Sequence, residues 1–128
     1  MRKLLILDDS SDLLFAIQES FSLYNFTTRT VTDIANLFKE LKSFNPEIII
    51  IDVFLKRENG RDLCKQLRED PTYNHTTLIL FSSSSKYLLN YQECGADGTI
   101  EKPFGIKELI EKIEAAVQYR KNINEKFY

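Results

Sequence analysis

Short apolar runs alternate along this chain with longer segments whose apolar residues recur every three or four positions. "KLLIL" (3–7) is apolar on both faces and predicts a buried strand. "SSDLLFAIQESFSLY" (10–24) follows, with Leu14, Ile17 and Phe21 near helical spacing and Ser10 as N-cap. "TTRTV" (27–31) is β-branched and predicts a second strand. "TDIANLFKELKSF" (32–44) starts with a Thr/Asp cap and puts Ile34, Leu37, Phe38 and Leu41 on one helix face. Asn45-Pro46 ends that helix, because the residue before proline leaves the helical region. "EIIIID" (47–52) predicts a central strand ending in Asp52.

A loop through Gly60 leads to "RDLCKQLRED" (61–70), where Leu63, Cys64 and Leu67 make an apolar stripe. "DPTYNHT" (70–76) reads as a loop that leaves His75 facing solvent. "TLILF" (77–81) is the fourth strand and runs into four serines, of which Ser84 or Ser85 reads as a helix cap. "KYLLNYQEC" (86–94) is expected to form a helix stopped by Gly95. "DGTI" (97–100) is a short fifth strand. The last helix is expected over 104–118, with Ile106, Leu109, Ile110, Ile113 and Val117 inward, followed by a polar tail, "YRKNINEKFY". Strand and helix alternate five times, which implies a parallel sheet with helices on both faces. Ligands of such sheets bind outside the carboxyl ends of the strands.

The residues at those ends are therefore the candidates for chemistry. Strand one ends in Asp8 and Asp9, strand three in Asp52, strand four in Ser82 and Ser83, and strand five in Lys102 followed by Pro103. Two unit charges about 4 Å apart repel by about 4 kcal/mol at the dielectric of a protein surface. Adjacent aspartates alone are more often a helix N-terminal pair favoured by the dipole. Three carboxylates at one sheet edge instead suit a hard cation such as Mg²⁺, which takes oxygen ligands. Lys102 and the Ser82 hydroxyl add a half-site shaped for an oxyanion such as a phosphoryl group.

Composition narrows the reading further. The 128 residues suit one domain, and 43% hydrophobic residues with nine Phe and six Tyr can build a core. A net charge of -2 gives no support for direct nucleic-acid or anionic-membrane binding. The apolar run at the N-terminus is too short for a signal peptide, and no stretch approaches the roughly 20 apolar residues of a membrane span. Cys64 and Cys94 show no metal-ligand spacing and read as reduced packing residues of a cytoplasmic protein.

Across about residues 2–120 the chain resembles the receiver domain of two-component response regulators. The matching motifs are "LILDDS", "IIIIDVFLKRENG", "LILFSSS" and "GADGTIEKPF". The resemblance implies a flavodoxin-like (βα)5 fold, doubly wound, with strand order 2-1-3-4-5, spanning residues 1–121 before a polar tail at 122–128. It implies that Asp52 is the phosphoacceptor, that Asp9, Asp52 and the backbone carbonyl of Phe54 bind Mg²⁺ directly, and that Asp8 does so through water. Ser82 matches the switch hydroxyl, Ser83 its neighbour in the phosphoryl site, and Lys102 the lysine that pairs with the phosphoryl group. Pro103 matches a proline that usually follows a cis peptide. The implied function is a phosphorelay module that takes a phosphoryl group from a sensor histidine kinase or phosphotransfer protein. The module would not be an enzyme with a separate substrate. Its output, including self-association as a homodimer, would use the face made by the fourth helix, strand five and the last helix.

The sequence departs from the family pattern at three places. Lys56 replaces a frequent proline, Ser83 stands where alanine is common, and Thr99 stands where the aromatic switch residue is usual. Thr99 leaves the usual route to output without its ring. Other classes fit less well. An aspartate-nucleophile phosphatase needs an acid two residues after the nucleophile, where this chain has Phe54. A flavin carrier needs a phosphate-cradling loop after strand one, where "DDSSD" is too acidic. A receiver-like interaction domain that has lost phosphorylation would not need the full set of Asp8, Asp9, Asp52, Ser82 and Lys102. No output domain follows residue 120 in this sequence, which leaves a stand-alone receiver or a piece of a longer chain.

Overall fold

The computed structural model describes residues 2–128. Five strands, β1 (Arg2–Leu7), β2 (Phe26–Val31), β3 (Ile48–Asp52), β4 (Thr77–Ser82) and β5 (Gly98–Glu101), form one sheet. Their order is β2-β1-β3-β4-β5 and every pairing is parallel. Four α-helices connect or follow them: α1 (Ser11–Phe21), α2 (Ile34–Phe44), α3 (Gly60–Glu69) and α4 (Ile106–Phe127). The expected doubly wound, flavodoxin-like arrangement is therefore the observed one.

Strand alternation sorts the core into two halves. Leu4, Ile6, Ile48 and Ile50 point to the side covered by α1 and α4, where Leu14, Ile17, Leu109 and Ile113 meet them. Leu5, Leu7, Ile49 and Ile51 point the other way, onto Leu37, Leu41, Leu63 and Leu67 of α2 and α3. Each such side chain removed from water contributes about 1.5–3 kcal/mol. This burial on both faces is what fixes the register, since a one-residue slip would exchange the two sets. The caps are local: Ser10 Oγ accepts the Leu13 N–H at 3.3 Å, and Asp33 Oδ1 accepts the Asn36 N–H at 2.8 Å. Asn45 ends α2 in the left-handed region at φ 52°, one residue before Pro46.

Two expectations fail. The segment 86–94 is not one helix but two 3₁₀ turns, Ser85–Leu88 and Tyr91–Cys94. Leu89 is extended and Asn90 has φ 54°, so the helical hydrogen-bond ladder stops between them. The guanidinium of Arg61 on α3 donates to the carbonyls of Tyr87 (3.1 Å), Leu89 (2.9 Å) and Asn90 (3.0 Å). It thereby satisfies acceptors that a helix would have used itself. Ser84 stands at the cap position of the first turn, but its side chain makes no capping bond there. Nor does the last helix stop at residue 118 before a polar tail; residues 119–127 continue α4 to Phe127. Arg120 extends the buried stripe of Leu109, Ile113 and Ala116 by one helical step, which anchors the extension.

Candidate functional site

The carboxyl ends of β1, β3 and β5 bring four charged groups together. Carboxylate oxygens of Asp8, Asp9 and Asp52 lie within 4.8 Å of one another. Asp8 and Asp52 are buried, and Asp9 is the most open of the three. Lys102 reaches into the cluster: its Nζ lies 2.6 Å from Asp8 Oδ2 and 3.4 Å from Asp52 Oδ2. The ammonium also sits 4.5 Å from the centre of the Phe81 ring. Lys102 therefore offsets part of the repulsion that the sequence left unexplained.

Backbone donors hold the acids in place. The Ser10 N–H donates to Asp8 Oδ1 at 2.8 Å, and the Phe54 N–H donates to Asp52 Oδ1 at 3.2 Å. Burial, and then the nearby Asp8 charge, push the Asp52 pKa up to about 6, against the pull of Lys102 and the Phe54 N–H. A carboxyl whose charged form is disfavoured by burial, set beside a lysine and two further acids, marks a candidate for chemistry.

Gly60 sets the position of Asp52. A Cβ at residue 60 would fall 2.0 Å from the Asp52 carbonyl oxygen, and the Gly60 N–H donates to Val53 O at 2.8 Å. Only glycine lets α3 start this close to the end of β3.

The remaining residues singled out in the sequence lie around this centre. Ser82 is fully buried at the end of β4; its Oγ accepts the Ser84 N–H at 3.2 Å, and its carbonyl accepts the Lys102 N–H at 2.9 Å. Ser83 lines a surface groove with Leu13, Lys102, Pro103 and Phe104. The Lys102–Pro103 bond is cis, as the resemblance implied. Thr99 is half-buried on β5, opposite Leu80, and lines a groove shared with Leu88, Tyr91, Glu108 and Lys112 rather than the acidic cluster. His75 is exposed, as expected.

Three features escaped the sequence reading. The rings of Phe54 and Tyr87 meet edge to face at 4.3 Å, joining the loop after Asp52 to the segment after Ser82. Arg61 clamps the same segment. At the opposite, amino end of the sheet, buried Asp97 accepts from Arg68 Nη2 (2.8 Å), Arg120 Nε (2.9 Å) and the Leu78 N–H (3.0 Å). The helical spacing of Arg120 from Ile113 and Ala116 is the one signal that could have flagged a buried arginine.

The family model for the response regulator receiver domain matches residues 4–114. The chain therefore belongs to the response regulator receiver family, and so to two-component signalling. Response regulator protein GraR of Staphylococcus aureus is 28% identical over 115 residues, covering 88% of this chain and 50% of that protein. The chain thus spans about half the length of the curated relatives it matches. Among solved structures, the chemotaxis response regulator CheY4 of Vibrio cholerae superposes with a TM-score of 0.82 at 20% identity, over 91% of this chain and 98% of that one. NtrX from Brucella abortus gives 0.84 at 23% identity, over 98% of this chain and 29% of that one. These structural likenesses concern the fold. No helix among the described residues is long and apolar enough to cross a membrane.

Proposed function

We propose that this chain is a phosphoacceptor switch in which Asp52 takes a phosphoryl group from a sensor histidine kinase or a phosphotransfer protein. The observation that carries the reading is the convergence of Asp8, Asp9, Asp52 and Lys102 at one edge of the sheet. Asp52 supplies a carboxylate oxygen as nucleophile, and the Phe54 N–H holds its other oxygen. Lys102 can exchange its contact with Asp8 for the incoming phosphoryl oxygens, a charge-assisted contact of greater strength than a neutral one. The donor set is all oxygen and compact, which fits Mg²⁺ held by Asp9, Asp52 and the Phe54 carbonyl, with Asp8 acting through water. When bound, that ion would neutralise charge on the transferring group. Hydrolysis of the acyl phosphate resets the switch, so no separate substrate is converted.

In this reading residues 1–121 are the receiver unit, and its two unbridged thiols suit a cytoplasmic setting. Output runs through Ser82, Ser83 and the 3₁₀ segment that follows, because Thr99 has no ring to swing. The face made by that segment, β5 and α4 is where a second copy or a downstream target would dock. Incubation with acetyl phosphate and Mg²⁺ should add the mass of one phosphoryl group to the wild type. Asp52→Asn should add none. An unchanged wild-type mass would favour a phosphorylation-independent interaction domain instead.

A further inference from the structure

Tyr87 collects contacts from three directions. Its ring meets the Phe54 ring edge to face at 4.3 Å. Its carbonyl accepts from the Arg61 guanidinium at 3.1 Å, and the same guanidinium holds the Leu89 and Asn90 carbonyls. Its N–H donates to the Ser84 carbonyl at 3.2 Å, and the Ser84 N–H donates in turn to Ser82 Oγ at 3.2 Å. On the far side of the ring pair, the Phe54 N–H donates to Asp52 Oδ1 at 3.2 Å. The two rings therefore close a circuit between the Asp52 carboxylate and the Ser82 hydroxyl. The loop that carries Phe54 is tied at both ends: the Gly60 N–H donates to the Val53 carbonyl at 2.8 Å, and the Leu55 N–H to the Glu58 carbonyl at 3.2 Å. Phe54 is 49% exposed and Tyr87 37%, and neither belongs to either half of the core. Core packing does not account for their pairing.

We propose that the Phe54 and Tyr87 rings are a positioning contact that passes the state of the Asp52 site to the 3₁₀ segment 85–94. This rests on the phosphoacceptor reading above. A phosphoryl group on Asp52 changes what the Phe54 N–H faces, and it offers an acceptor to the Ser82 hydroxyl, which can donate while it still accepts from Ser84. One ring hangs on each of these groups, so modification moves the rings relative to each other. An aromatic pair is directional, and losing its geometry shifts a two-state ratio by roughly 2- to 10-fold. The contact thus differs between the two states, which a ligand-driven shift requires. Arg61 fixes the Tyr87, Leu89 and Asn90 carbonyls to one planar fork, so a displaced Tyr87 carries the segment with it.

The test uses the full chain. Intact mass after acetyl phosphate and Mg²⁺ first establishes uptake of the phosphoryl group. Amide NMR shifts are then recorded with saturating beryllofluoride, a phosphoryl mimic, and Mg²⁺. In the wild type the amides of 85–94 should shift. Tyr87→Leu should take up the phosphoryl group like the wild type and keep the shifts at Asp9 and Lys102, yet lose most of those at 85–94. Tyr87→Phe keeps the ring and should respond like the wild type. Phe54→Leu, compared at saturation, should lose the same part of the response, and the double leucine variant no more than either alone. The Phe54→Leu arm decides the matter if Tyr87→Leu does not fold. A full response at 85–94 in the leucine variants, an equal loss in Tyr87→Phe, or additive losses in the double variant would overturn the proposal. A wild type that takes up no phosphoryl group overturns the phosphoacceptor reading and this inference together, whereas uptake with an undiminished Tyr87→Leu response overturns this inference alone.

Discussion

Asp52 is held in a state that folding alone does not favour. Its pKa is raised to about 6 from 3.8, so the folded protein binds this proton more tightly than the unfolded chain does. The stability contributed by the protonated form is fully present below about pH 4 and is lost as pH rises through about 6. At neutral pH the ionised carboxylate faces Asp8 without full compensation. Asp52→Asn should therefore be more stable than the wild type at pH 7.5 without metal, by about 1–3 kcal/mol. That advantage should shrink as pH falls below 6, and added Mg²⁺ should narrow it from the other side. Urea denaturation across pH, with and without Mg²⁺, measures both. Asp8 and Asp9 should differ in a Mg²⁺ titration. Asp8 is buried and already engaged by Lys102 and the Ser10 N–H, whereas Asp9 is more open. Asp9→Ala should weaken Mg²⁺ binding more than Asp8→Ala, as read from amide NMR shifts; equal losses would contradict the assigned roles. All four charged residues were legible in the sequence because a parallel sheet places chemistry at its strand ends. The Phe54–Tyr87 ring contact was not, because it joins two loops whose approach no local pattern encodes.

At the scale of elements, the strands and the first three helices follow their periodicity, within a few residues at each end. What the sequence could not show is where another element overrides local preference. "KYLLNYQEC" has helical spacing, yet Arg61, from a helix some 25 residues earlier in the chain, takes the carbonyls of Tyr87, Leu89 and Asn90 and the segment breaks. Residues 119–127 are mostly polar, so periodicity gives no sign that the last helix continues; its anchor is an arginine whose partner, Asp97, lies in the loop before β5. Gly60 makes the opposite point, since a single residue sets the distance between α3 and the end of β3 that carries Asp52. Gly60→Ala should cost about 1–3 kcal/mol from forced overpacking against the Asp52 carbonyl. It should also slow phosphorylation by acetyl phosphate, because relief of the overlap displaces Asp52. Unchanged stability and rate together would show that the close approach is not needed.

Across the whole molecule, the buried carboxylates of Asp97 and Asp52 lie at opposite ends of the sheet and are treated differently. Asp97 has donors on both oxygens, from Arg68, Arg120 and the Leu78 N–H, and ties α3, α4 and β4 together. Burial pushes its pKa up and the arginines pull it down, but every partner is a donor that suits the carboxylate. Asp97→Ala would leave Arg68 and Arg120 buried without counter-charge and should cost about 3–5 kcal/mol in thermal or urea unfolding. Mg²⁺ affinity of the remaining folded protein should stay near wild type, because the acidic cluster is at the far end. Asp52, by contrast, keeps its oxygens incompletely neutralised beside one shared lysine. That difference is the physical case for reading one end as scaffold and the other as reactive. The most direct measurement traps the modified residue itself. Borohydride reduces an aspartyl phosphate to homoserine, and tandem mass spectrometry locates the change. After acetyl phosphate and Mg²⁺, homoserine should appear at position 52 and be absent from Asp52→Asn. Homoserine at position 8 or 9, or none in a wild type shown to be folded, would contradict the assignment of Asp52 as the phosphoacceptor.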